Sequence, residues 1–291
     1  MPASLIHAEG RVLAAIDASL YAQSVAEHAG WAAARLGAPL ELLHAIDRQA
    51  DPSSRDLSGN LAVDTRQRLL AELAGLDEQR ARVAQQHGRA LLESLRDQLR
   101  ERHAIESEVR QRHDSVVDTL LELEEGVRLF VIGKRGEHAD FDSGHLGSNL
   151  ERVVRAVHRP VLVASRAFRP VQAFLVAFDG SPTTRKCVAL VCASPLLAGT
   201  SCHLLMVGAN DAESVEHLQW ATQRLREAGF EPQARIVPGQ AETVIAQQVE
   251  ALGVDLLVMG AYGHSRIRSM ILGSTTAALL RSCKVPVLLL R

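Results

Sequence analysis

Apolar residues in this chain fall in short unbroken runs rather than in alternation. Runs rich in Val, Leu, Ile and Ala predict strands at 11–16, 39–45, 105–111, 128–133 and 160–164, and again at 172–178, 201–207, 231–237, 254–259 and 286–290. Such runs suit strands covered on both faces, the usual condition of a parallel sheet. Between them, stretches of helical character lie near 20–36, 62–102, 115–125 and 148–157, then near 182–197, 212–228, 241–252 and 274–283. This alternation predicts an α/β chain of two tandem doubly wound, five-stranded, mostly parallel sheet domains.

The two halves repeat one another. VLAAIDAS, ending at Ser19, aligns with FLVAFDGS, ending at Ser181, and LFVIGKRG aligns with LLVMGAYG. LGSNLERVVRAVHRPVLVAS, from Leu146, aligns without a gap with LGSTTAALLRSCKVPVLLLR, from Leu272. The segment from Arg166 to Pro170 reads as a linker, which places the domains at 1–166 and 171–291. Asp17 and Gly133 are 116 positions apart, but Asp179 and Gly260 only 81, so the first half carries a surplus of 35 between its second and third strands. That insertion, near 47–103, carries an apolar stripe at Leu69, Leu70, Leu73, Leu76, Val83, Leu91, Leu92, Leu95 and Leu99. It reads as a long amphipathic helix over the sheet, or as a protruding arm for dimerisation or partner binding.

Each half also carries a long glycine pattern where a strand gives way to a helix. The second-half copy is G-x2-G-x9-G-S, with Gly260, Gly263, Gly273 and Ser274. The first-half copy has Gly133, Gly136, Gly147 and Ser148, with ten residues in its long spacer. Glycines there let backbone amides ring an anion, and the helix N-terminus adds partial positive charge. Ligands in doubly wound sheets bind at the carboxyl ends of the strands, where Asp17 and Asp179 also fall. Ser19 and Ser181 suit helix N-cap chemistry.

With these elements assembled, the chain resembles the universal stress protein family, as a tandem, two-domain member. The resemblance spans nearly the whole chain and implies a Rossmann-like, adenine nucleotide alpha hydrolase-like fold that binds ATP, with Mg as an optional companion. It also implies that the last strands of the two halves pair, giving an intrachain pseudo-dimer. In the second half it places Ala177, Phe178 and Asp179 at the first strand end and Val207 at the second. Met259, Gly260, Gly263, Gly273, Ser274, Thr275 and Thr276 are implied around ribose and phosphates, with His264, Arg266 and Arg268 in the same loop. In the first half the matching positions are Ala15, Ile16, Asp17, Ala45, Ile132, Gly133, Gly136, Gly147, Ser148 and Asn149. That copy is the weaker site: its loop carries Glu137, Asp140 and Asp142, which repel a triphosphate, with Lys134 and Arg135 as local compensation.

Composition narrows the function. A net charge of -2 gives no reason to expect nucleic acid as a partner, and no run approaches the ~20 apolar residues of a membrane span. The start of the chain lacks the basic-then-apolar order of a secretory signal, so a cytoplasmic protein is expected. The four cysteines, Cys187, Cys192, Cys202 and Cys283, form no C-x-x-C pair and read as reduced core residues. The twelve histidines show no metal-ligand spacing, although His138 and His145 flank the acidic loop. No general base or nucleophile elbow stands out, so catalysis beyond slow ATP hydrolysis is not expected. The leading reading is an ATP-binding stress-response or signalling protein whose nucleotide state alters assembly or partner binding. Alternatives are a ligase- or pyrophosphatase-type enzyme, and a scaffold or chaperone-like protein with degenerate sites. The protein partner and any homodimer are left open.

Overall fold

The computed structural model describes residues 9–46, 63–136, 146–261 and 273–291. The first half contains β1 (Arg11–Ala15), α1 (Ala22–Leu36), β2 (Leu40–Ala45), α2 (Val63–His103), β3 (Ser107–Arg112), α3 (Val116–Leu123), β4 (Val127–Gly133), α4 (Ser148–Ala156) and β5 (Val161–Ala164). The second contains β6 (Ala173–Phe178), α5 (Pro182–Ala193), β7 (Ser201–Val207), α6 (Ala212–Glu227), β8 (Gln233–Val237), α7 (Ala241–Ala251), β9 (Leu256–Gly260), α8 (Ser274–Ser282) and β10 (Val287–Leu290). Every predicted strand and helix is present. The helix expected over 182–197 stops at Ala193, and Pro195–Leu197 forms a separate 3-10 turn. Pro195 forces the break, because the residue before a proline is pushed out of helical geometry, and Ser194 is extended at ψ 134°.

The strands form one ten-stranded sheet in the order β3-β2-β1-β4-β5-β10-β9-β6-β7-β8. Neighbours are parallel except at the centre, where β5 and β10 run antiparallel with Val163 opposite Val287 and Leu162 opposite Leu288. The expected pairing of the last strands is therefore the seam of the molecule. It also buries two apolar edges that would otherwise invite aggregation. Because the seam reverses direction, the carboxyl ends of the two sets of strands face opposite edges of the sheet. The start of β10 consequently abuts the end of β5.

Alternate residues of each strand feed two cores. Val12 and Ala14 face the layer of α1, α2, α5 and α6, whereas Leu13 faces the layer of α3, α4, α7 and α8. Both layers run across the seam. Reciprocal contacts reinforce it: Arg291 donates to the Arg155 carbonyl at the end of α4 at 2.5 Å, and Lys134 donates to the Cys283 carbonyl at the end of α8. A cation at a helix C-terminus satisfies carbonyls that lack intrahelical partners and complements the dipole.

The covering reading of the insertion holds for the C-terminal part of α2, whereas the turns ahead of it are exposed. Leu92, Leu95 and Leu99 are buried against α1 and the sheet, and Gly88 packs so closely on His44 that a Cβ there would meet the ring at 2.4 Å. Every described side chain from Glu72 to His87 is exposed, including Leu76 and Val83. The C-terminal part thus covers the sheet, while the preceding turns run out as an arm carrying ion pairs such as Arg82–Glu78 at 2.7 Å. Among the described residues no helix is long and apolar enough to cross a membrane.

Candidate functional site

The chain winds from β1 outward through β2 and β3, then returns to build β4 on the other side of β1; β6, β7, β8 and β9 repeat the path. This reversal opens a crevice at the ends of β1 and β4, and a second at the ends of β6 and β9. Ala15 lies opposite Ile132, and Gly133 opposite Ala164, so the first strand-end turn and the first glycine turn emerge side by side.

In the first crevice Asp17, Gly136 and Gly147 converge. A Cβ on Gly136 would lie 3.5 Å from Asp17 Oδ2, and one on Gly147 would lie 3.2 Å from the Gly136 nitrogen. The glycines therefore keep the turn compact beside a carboxylate. Asp17 Oδ1 also accepts from the Ser19 amide at 3.1 Å, and Ser19 Oγ accepts from the Tyr21 amide at 3.2 Å. The serine thus organises the turn into α1 while Tyr21, not Ser19, occupies the cap position. Ile16 is buried and Ala45 half-buried, with His44 Nδ1 fixed 2.8 Å from the Ile16 carbonyl. Gly147 is the N-cap of α4, Ser148 opens the helix, and Asn149 is exposed.

Lys134 does not face this crevice as local compensation. Its buried ammonium crosses the seam to the carbonyls of Cys283 and Val285, the latter at 3.1 Å. Burial pushes its pKa from 10.5 down to about 8. Glu137, His138, Asp140, Asp142 and His145 lie outside the described residues.

The second crevice is built alike. Asp179 Oδ1 accepts from the Ser181 amide at 2.9 Å and from Thr184 Oγ1 at 2.7 Å. Ser181 caps α5 as expected, its Oγ accepting from the Thr184 amide at 3.3 Å. Gly180 needs to be glycine: it sits at φ +77°, and a Cβ would strike the His217 ring at 2.1 Å. Gly260 ends β9 opposite Leu290, and the Gly273 amide donates to the Ala261 carbonyl at 3.3 Å. Thr276 is buried and donates Oγ1 to the Gly260 carbonyl at 3.1 Å, so it pins the turn from inside. Ser274 is exposed and Thr275 half-buried at the start of α8. Ala177, Phe178 and Met259 are buried at the strand ends, and Val207 is half-buried. Gly263, His264, Arg266 and Arg268 lie outside the described residues.

Sequence reasoning missed the wall beside this turn. Trp220 on α6 stacks on Phe178 with ring centroids 6.2 Å apart, and the Arg185 guanidinium lies 4.3 Å from the Trp220 ring centre. Arg185 Nε also donates to the Gly180 carbonyl at 3.0 Å. Only the packing of α5 on α6 brings these residues together, and no local spacing signals it. Among the described residues no cluster of three metal-ligating side chains occurs, and all four cysteines are unpaired, three of them buried.

Two doubly wound halves with glycine turns at their strand ends define a tandem α/β protein of Rossmann-like architecture. The universal stress protein family model matches residues 10–165 and 204–291, and the chain belongs to that family. It is 34% identical over 284 residues to the universal stress protein Slr1230 of Synechocystis sp., covering 96% of this chain and 99% of that one. It is 28% identical over 79 residues to the universal stress protein MJ0577 of Methanocaldococcus jannaschii, covering 27% of this chain and 49% of that one. The crystal structure of a universal stress protein from Archaeoglobus fulgidus superposes with a TM-score of 0.63 at 19% identity, covering 98% of both chains.

Proposed function

We propose that this protein is a cytoplasmic ATP-binding universal stress protein, built from domains 1–166 and 171–291, whose nucleotide state alters its assembly or partner binding in stress response. The observation that carries the reading is the convergence of Asp17 with Gly136 and Gly147 at the strand ends. A carboxylate beside packed glycine backbone and a helix N-terminus can accept ribose hydroxyls while amides hold phosphates. In the second half, Gly260, Gly273, Ser274 and Thr275 would serve the phosphates, and Ala177, Phe178, Asp179, Val207 and Met259 the nucleoside. The Ala45 and Ile132 strand ends would serve the first-half nucleoside. Mg would ride with the phosphates. The reading makes the protein a sensor rather than an enzyme.

Mass spectrometry of ligand released from freshly purified protein tests this, together with melting in ATP-Mg. Adenine nucleotide should co-purify, ATP-Mg should raise the melting temperature, and Gly136→Leu with Gly263→Leu should abolish most of both effects. Absence of nucleotide together with an unchanged melting temperature would overturn the reading. The exposed stretch of α2 supports a second role as a partner-binding arm. In that case, shortening α2 ahead of Gly88 would change oligomer size or partner capture and leave ATP binding intact.

A further inference from the structure

Beside the first glycine turn, the seam holds a second concavity that gathers cations from both halves. Where the end of β5 meets the start of β10, a cleft of about 310 Å³ is lined by Lys134, Arg135, Arg166, Arg281 and Lys284, and no Asp or Glu is among its described lining residues. Five cations thus share one small concavity in a chain whose net charge is -2. Low-dielectric walls focus such a field outward into the cleft.

The cations are placed by the fold. Lys134 is 7% exposed and anchored by the Cys283 and Val285 carbonyls, which take two of its three protons. The antiparallel seam brings Arg281 and Lys284, at the end of α8, against Arg135 and Arg166 of the first half. Arg166, Arg281 and Lys284 make no ion pair with any described residue. The set is not duplicated at the opposite edge, where the repeat has Ala261, Tyr262, Arg155 and His158 at the positions of Lys134, Arg135, Arg281 and Lys284. Among the described residues the set occurs once.

We propose that this cleft binds a small anion carrying two phosphate groups, held jointly by both halves of the chain. Guanidinium forks match phosphate oxygens two at a time, and ammonium groups add point charge. The volume lies at the lower end of small-molecule sites, which suits a compact ligand and excludes a nucleic-acid duplex. A ligand gripped from both sides of β5 and β10 would tie the halves together.

Isothermal titration of the intact protein with pyrophosphate, at constant ionic strength and without magnesium, tests the assignment. A sugar bisphosphate forms a second arm. Pyrophosphate should bind, and Arg281→Glu with Lys284→Glu should weaken the tightest binding by about tenfold or more. Both side chains are exposed, and circular dichroism with the neutral pair Arg281→Gln and Lys284→Gln controls for folding. Binding of pyrophosphate alone would identify a free oligophosphate as the ligand, and binding of both anions would make the phosphate pair the recognised group. Binding of neither, or unchanged affinity in both variant pairs, would overturn the proposal.

Discussion

Gly147 lies against the backbone of Gly136, so a Cβ on Gly147 would stand 3.2 Å from the Gly136 nitrogen and 3.4 Å from Arg135 Cα. Those atoms are main chain and cannot rotate away. The converse contact is relaxed, since among the described residues a Cβ on Gly136 would meet only Asp17 Oδ2, at 3.5 Å. Gly147→Ala should therefore destabilise the protein by about 1–3 kcal/mol through overpacking, whereas Gly136→Ala should stay within about 1 kcal/mol of wild type. Urea unfolding of the two variants checks this. Equal stability would mean that the turn yields freely and does not hold the crevice in shape.

His28 provides the acid sensitivity. It is fully buried on α1, with Nδ1 2.7 Å from the Ser24 carbonyl, its ring edge-on to Phe168 at 5.0 Å, and Nε2 without a partner. Burial pushes its pKa from 6.5 down to about 4, opposed by the Ser24 hydrogen bond and aided by repulsion from Lys134. Above the unfolded value both states are neutral. Below it the unfolded chain takes a proton that the folded chain refuses, so stability falls from about pH 6.5 and the loss is complete near pH 4. The full loss is about 3 kcal/mol. His28→Asn keeps an amide donor for Ser24 and should flatten the pH profile over this window in chemical unfolding, whatever its effect at neutral pH. An unchanged slope would assign the acid sensitivity to other groups.

Glu41 holds the edge of the first half by charge. Its carboxylate, 1% exposed on β2, contacts Arg11 on β1 at 3.0 Å and Arg110 on β3 at 2.5 Å. These are charge contacts, since neither carboxylate oxygen has hydrogen-bond geometry to a partner. Removing one member of a buried ion pair costs about 3–5 kcal/mol, but both arginines reach water here, so Glu41→Gln should cost about 2 kcal/mol. Thermal unfolding measures the loss, and Arg110→Gln should cost less because Arg11 still neutralises the carboxylate.

Much of this was legible in local pattern. Unbroken runs such as FLVAF and LLVMG must be covered on both faces, and their spacing leaves room for one crossover helix each. Strand ends shifted by at most two residues from the expected limits. The Asp17-to-Gly147 constellation was legible because each member sits at a strand-to-helix turn, and doubly wound topology sends all such turns to one edge. Where α2 passes from covering the sheet to standing exposed was not legible, because Leu76 and Val83 continue the apolar stripe of the buried turns while being exposed themselves.

By itself, the sequence determined the strands, the helices, the repeat and the two glycine turns, because each depends on residues close along the chain. Tertiary structure alone decided the direction of Lys134, the wall of Arg185 and Trp220, and the gathering of Arg135, Arg166, Arg281 and Lys284. Those contacts join residues more than a hundred positions apart in the seam, or lie on facing helices in the wall. Antiparallel pairing of β5 with β10 and the packing of α5 on α6 set their distances, and neither is written in any local spacing.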